Sequence, residues 1–166
     1  MSAIASKSLD SRSSLLRTVV LGGTILFFLQ TIIQEWLYYY VIQKTPFAIL
    51  WQYIASGILG DAAFTGGTAT VLLGMFFHLI ICLVIAGVFI LSANRIPLLR
   101  RYPIPGSLLY GFGVFIVMNF IVTPLSATPP LPAPTMPQLI EVVLEHILVV
   151  GLSLGLFVRL NAQADV

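Results

Sequence analysis

The chain has 166 residues, 58% of them hydrophobic and only 8% charged, against roughly 25% charged in an ordinary soluble domain. Its formal net charge is +2, and the positive residues sit in short segments beside apolar runs, which excludes a basic nucleic-acid-binding face. So little polar surface cannot cover so apolar a chain in water, whereas lipid makes covering it unnecessary, and the mean hydropathy of +1.03 points to one integral membrane domain over residues 1–166.

The first apolar run, about residues 18–42, follows Lys7, Arg12 and Arg17. It outruns the roughly 7 to 15 apolar residues of a signal peptide and ends in EWLYYY instead of small residues, so it reads as a retained helix. Glu35 stands just before that aromatic belt, where the plain reading has its carboxylate reach the headgroups. The connection KTPFAILWQYIASGILGDAAFTGG is too long and too apolar for a solvated loop. Trp51 and Tyr53 suit the headgroup level, so a short helix from about Pro46 to Leu59 is expected, lying in the interface or tucked against the bundle. A re-entrant segment is the alternative.

The second run, about 68–92, carries Gly74, His78, Cys82 and Ala86 at four-residue spacing, a stripe of small and polar groups on which another helix can pack closely. Cys82 is the single cysteine, so no intramolecular disulfide and no cysteine metal site can be built. NRIPLLRRYP then supplies Arg95, Arg100 and Arg101, and the third run, about 104–123, holds Asn119. PLSATPPLPAPTMP, with six prolines and no charge, reads as a stiff strap across outer helix ends. Thr135 and Gln138 have capping-box spacing. The fourth run, about 138–160, holds Glu145 and His146 side by side, then Gly151 and Gly155 as a G-x-x-x-G pair that permits close backbone approach.

Each run reaches the ~20 residues that an α-helix needs to cross a bilayer, and each is too long for the ~9 to 11 residues of a barrel strand. The expected fold class is all-α, a polytopic membrane protein with four transmembrane helices and a short interfacial helix between the first and second. Arg17, Arg95, Arg100, Arg101 and Arg159 flank one set of helix ends and Lys44 alone the other, which puts both termini in the cytoplasm.

Counting inward from the outer ends at ~1.5 Å per residue, Gln34 and Glu35 fall about 10 Å deep, His78 about 15 Å, Asn119 about 6 Å, and Glu145 with His146 about 11 Å. All lie in the outer half. A charged group at the centre of a membrane helix costs about 2.5 to 3.5 kcal/mol. A shared polar layer is therefore expected, with Asn119 and His78 as the partners of the Glu145–His146 pair. The leading reading is a small non-catalytic structural or accessory component of a larger membrane complex, with the bilayer and other membrane subunits as partners and without cofactor or metal. Two alternatives stay open: proton or small-solute passage, since a carboxylate beside an imidazole can pass protons, and a haem or pigment site on His78 and His146. No G-x-S-x-G, H-E-x-x-H or glycine-rich phosphate loop is present, so no enzyme is expected.

From IASGILGDAAFTGG through LLGMFFHLIICLVIAGVF and RIPLLRRYPIPGSLLYGFGVFIVMNFIVTPLSA to EHILVVGL, the chain resembles a family of small, uncharacterised four-span bacterial inner-membrane proteins. The likeness covers about Ala55 to Gly151, with a looser match in the first helix, and includes Gly57, Gly74, His78, Arg95, Tyr110, Asn119, Pro124 and His146. It implies the four-span topology and a bacterial cytoplasmic membrane, and draws attention to His78, Asn119 and His146. Family members carry an aspartate midway along the first helix, near the position of Gln30 here, so an activity resting on that acid is not implied for this chain.

Overall fold

The computed structural model describes the backbone of residues 2–164 and the side chains of residues 14–161. Helix α1 runs over Ser2–Gln30 and continues, π-wound, through Thr31–Ile42. Helix α2 is Phe47–Leu59, prolonged by a 3-10 stretch over Gly60–Thr65, and α3 is Gly67–Arg95. After the short α4, Pro97–Arg101, α5 covers Pro103–Val117 and passes through π-wound Met118–Val122 to Thr123–Leu125. Helix α6 comprises Met136–Glu145, π-wound His146–Leu152 and Ser153–Ala164. No strand occurs among the described residues.

Five segments are long and apolar enough to cross a membrane: Ser14–Ile42, Phe47–Thr65, Gly67–Arg95, Pro103–Leu125 and Met136–Asn161. Their outward faces are apolar at residues such as Leu72, Val84, Leu109 and Phe120, a surface that lipid accommodates and water does not. The chain is thus a multi-pass membrane protein in architecture. Pro97 and Pro103 stand in the first turns of α4 and α5, where a missing N–H leaves no partner unsatisfied. Thr135 and Gln138 form the expected capping box of α6, the Thr135 N–H donating to Gln138 Oε1 at 2.9 Å. The proline-rich strap from Ser126 to Thr135 is non-helical, and its Ala127 N–H donates to the Gly57 carbonyl of α2 at 2.9 Å.

Close backbone approach organises the bundle. The α3 stripe of Gly74, His78, Cys82 and Ala86 is buried throughout. At one end of that stripe a Cβ on Gly74 would land on the Trp51 carbonyl, so α2 lies directly against α3. Gln52 adds bonds to Thr70 Oγ1 at 3.3 Å and to the Gly67 carbonyl at 3.4 Å. Trp51 is consequently fully buried, its ring packed against His78 and Phe27. This corrects its expected place at the headgroups: Gly74 lets the α2 backbone lie against α3, which sets the indole among Phe27, Phe47 and His78. Helices α1 and α3 run antiparallel, with Gly23 against the Leu83 backbone and Leu26 in a core with Cys82, Ala86 and Phe89. Helices α5 and α6 meet through small residues on both sides: Gly151 and Gly155 of the G-x-x-x-G pair face Ser107, and Gly111 faces the His146 carbonyl. Tyr110 ties α5 to α3 by donating to the Ile85 carbonyl at 2.8 Å.

Two glycine substitutions separate packing from propensity. Gly151→Leu, which would drive a side chain into the Ser107–Leu108 backbone, is expected to lower unfolding stability in detergent by about 1 to 3 kcal/mol. Gly113→Ala, where an added Cβ meets nothing within 4 Å, should leave stability unchanged or raise it by up to about 1 kcal/mol.

Candidate functional site

Glu145 closes the first α-helical part of α6 and is only 6% exposed. An ionised carboxylate in such surroundings needs donors, since a buried charge left unpaired is far costlier than a neutral polar group. Three side chains supply them. Gln30 Nε2 of α1 donates to Oε1 at 2.9 Å. One turn further along the same face, the Gln34 amide, assigned in the orientation that sets donor against acceptor, places its nitrogen 3.0 Å from Oε1 and 3.3 Å from Oε2. His146 Nδ1 lies 2.7 Å from Oε2.

The His146 Nδ1 atom also lies 2.8 Å from the Val142 carbonyl. The Val142 carbonyl can only accept, which assigns the proton of the neutral ring to Nδ1. The ring edge packs against Phe115 of α5, with centroids 5.8 Å apart. On the other side, Gln30 Oε1 accepts from the Cys82 thiol at 3.2 Å, and Cys82 Sγ lies 3.8 Å from His78 Nε2. A continuous polar chain therefore runs His78, Cys82, Gln30, Glu145, His146 across α3, α1 and α6.

Chemically this chain holds more readily than it conducts. A glutamine amide donates and accepts hydrogen bonds but does not release a proton near neutral pH, so Gln30 interrupts any relay between His78 and the Glu145–His146 pair. Among the described residues no group of three or more His, Cys, Asp or Glu side chains forms a metal site. A lateral groove of about 630 Å³ runs between α1 and α6, walled mostly by apolar residues such as Ile33, Leu37, Ile140 and Leu144, with Gln34, Glu141 and Glu145 also in its lining.

The polar residues singled out in the sequence divide. His78, Glu145 and His146 join one network. Glu35 is 8% exposed, which corrects its expected reach to the headgroups: Trp36 and Tyr40 face outward on α1 while Glu35 is turned inward, beside the turn that carries Gln34. Asn119 stands apart on an exposed position of α5, and its Nδ2 donates to the Phe115 carbonyl of its own helix at 3.0 Å. The expected Asn119–Glu145 contact is absent because a carbonyl one turn back lies closer to hand. The true partners, Gln30 and Gln34, were signalled by their i, i+4 spacing in an apolar run, which places two amides on one face. The π-windings at Thr31–Ile42, Met118–Val122 and His146–Leu152 all coincide with polar positions. Such i→i+5 winding occurs often at functional sites, and hydropathy carries no signal for it.

No family model, curated protein or solved structure matches the chain. Double-mutant cycles separate network members from neighbours. Gln30→Ala with Glu145→Ala should show a coupling of about 1 kcal/mol in detergent unfolding, in the upper part of the range between membrane helices. Asn119→Ala with Glu145→Ala should be additive within about 0.5 kcal/mol.

Proposed function

We propose that the chain is a four-span protein of a bacterial cytoplasmic membrane, with both termini inside, and that it serves as a non-catalytic structural or accessory component within a larger membrane assembly. The topology is supported by the antiparallel pairing of α1 and α3. Gln30 of α1 meets Cys82 of α3, and Ile42 lies as many residues beyond Gln30 as Thr70 lies before Cys82, so the end of α1 is level with the start of α3. Lys44, in the left-handed conformation with φ 60°, closes α1 together with a Thr45 N–H bond to the Tyr39 carbonyl at 3.0 Å. Helix α2 thus begins on the side where α1 ends, and its 3-10 continuation finishes on the same side, at Thr65, two residues before α3 begins. A segment that starts and stops on one side is a helix tucked back against the outer half of the bundle. The remaining four spans leave Arg17, Arg95, Arg100, Arg101 and Arg159 at one set of ends and Lys44 at the other, the charge bias of a chain with cytoplasmic termini.

The functional reading rests on one observation above all: the Glu145 carboxylate is engaged by three protein donors from two helices. A transport site keeps ligand valence open at some stage of its cycle, whereas this carboxylate has been matched within the bundle. Interhelical hydrogen bonding of this kind supplies specificity of packing where lipid offers no hydrophobic drive between helices. The resemblance to small four-span inner-membrane proteins agrees with that topology and adds no activity.

Extraction in mild detergent followed by native mass measurement is expected to recover the 18.1 kDa chain in a heavier complex with other membrane proteins. Glu145→Gln in reconstituted liposomes should lower the unfolding temperature and leave proton flux at the level of protein-free vesicles. A lone, stable monomer with pH-dependent flux that Glu145→Gln abolishes would instead establish the transport reading.

A further inference from the structure

At the end of the bundle opposite the strap, α1, α3, α6 and the junction of α4 with α5 border an open cleft of about 920 Å³. Arg100, Arg101 and Arg159 line it, together with the amides of Asn94 and Asn161. Leu15, Ile90 and Val158 give the same lining an apolar part, with Ile90 buried. Among the described residues no Asp or Glu is part of the lining, and none of these arginines forms a salt bridge. Arginines that served only to orient the chain need a position near the helix ends, not a common cleft assembled from four separate elements. The planar guanidinium fork pairs with the oxygens of a phosphate or a carboxylate, and several such forks around one space favour an anion over a neutral group.

We propose that this cleft is a binding site for the phosphate headgroup of an anionic phospholipid from the inner leaflet. The arginines and amides would hold the phosphodiester at the rim, while the Ile90 and Val158 side takes the start of the acyl chains. Basic pockets between transmembrane helices on the cytoplasmic side are suited to such headgroups. A lipid seated here touches all four elements at the end of the bundle farthest from the Glu145 network, so it would brace the half of the protein that the network does not hold. The assignment of a lipid source rests on the orientation proposed above, since it is the cytoplasmic leaflet that carries the anionic surface.

The test is native mass spectrometry of the purified full chain in detergent, titrated with phosphatidylglycerol, with phosphatidylcholine and with inorganic phosphate. Retention of phosphatidylglycerol over phosphatidylcholine is expected. Arg100→Gln, Arg101→Gln and Arg159→Gln should each weaken it about fivefold, and the triple variant should erase the preference. Arg95→Gln, outside the lining, should change it less than twofold. These arginines are exposed, and circular dichroism of each variant verifies that the fold is retained. Equal binding of the two lipids, or a triple variant that binds like the parent, overturns the site. Displacement of the lipid by inorganic phosphate at equal concentration overturns the lipid as its ligand. Binding in detergent is independent of sidedness, so the orientation is checked separately on the Cys82→Ala background. A Lys44→Cys label that enters only from the cytoplasmic side would overturn the orientation and with it the inner-leaflet source.

Discussion

The structure turns on a single constraint: Glu145 is a carboxylate buried within a helix bundle that the bilayer surrounds, and its lone pairs must be met by the protein. Water is the partner that a soluble protein would use, and a membrane core withholds it. Gln30 and Gln34 of α1 and His146 beside it answer that demand, and the consequences spread outward. Because two of the three donors sit on α1 and the carboxylate on α6, those two helices must keep one register and one separation. Because Gln30 also accepts from Cys82, α3 is drawn into the same arrangement.

Small residues make that arrangement reachable. Hydrogen bonds of about 3 Å between helices require backbones that approach closely, and glycines at the contact points allow it. Gly23 admits the Leu83 backbone, Gly111 admits the turn carrying His146, and Gly74 admits α2. The two kinds of feature depend on each other. Without the glycines the amides would stand too far from the carboxylate, and without the network the glycine contacts would fix distance but not rotation. The apolar positions that remain, such as Leu26, Val150 and Leu154, fill the centre.

Much of this was legible in the amino-acid order, and the reasons are physical. Helix extent follows from backbone satisfaction in lipid, so apolar runs near 18–42, 68–92, 104–123 and 138–160 foretold, to within a few residues, four of the five segments long and apolar enough to cross a membrane, while the fifth, Phe47–Thr65, was expected only as a short interfacial helix. Spacing of four along α3 identified its buried stripe, and the G-x-x-x-G of α6 identified a close contact. Rotation and pairing were harder. Depth alone grouped Asn119 with Glu145, but depth says nothing about which way a side chain turns, and Asn119 found the Phe115 carbonyl of its own helix. Trp51 carries the same ambiguity, because an indole suits a headgroup belt and an aromatic interior equally well, and only the close approach of the α2 backbone to Gly74 decides. The π-windings shift the facing of residues beyond them without any mark in composition.

The central claim is that the polar chain from His78 to His146 is closed and held by Glu145, and Cys82, the single cysteine, reports on it directly. Its thiol is fully buried and engaged with Gln30, so a membrane-permeant maleimide should fail to label it in native membranes while labelling it readily after denaturation in SDS. Glu145→Ala should open the network and make Cys82 reactive without denaturant. Rapid labelling of Cys82 in the unaltered protein, or no gain of reactivity in Glu145→Ala, would contradict the account.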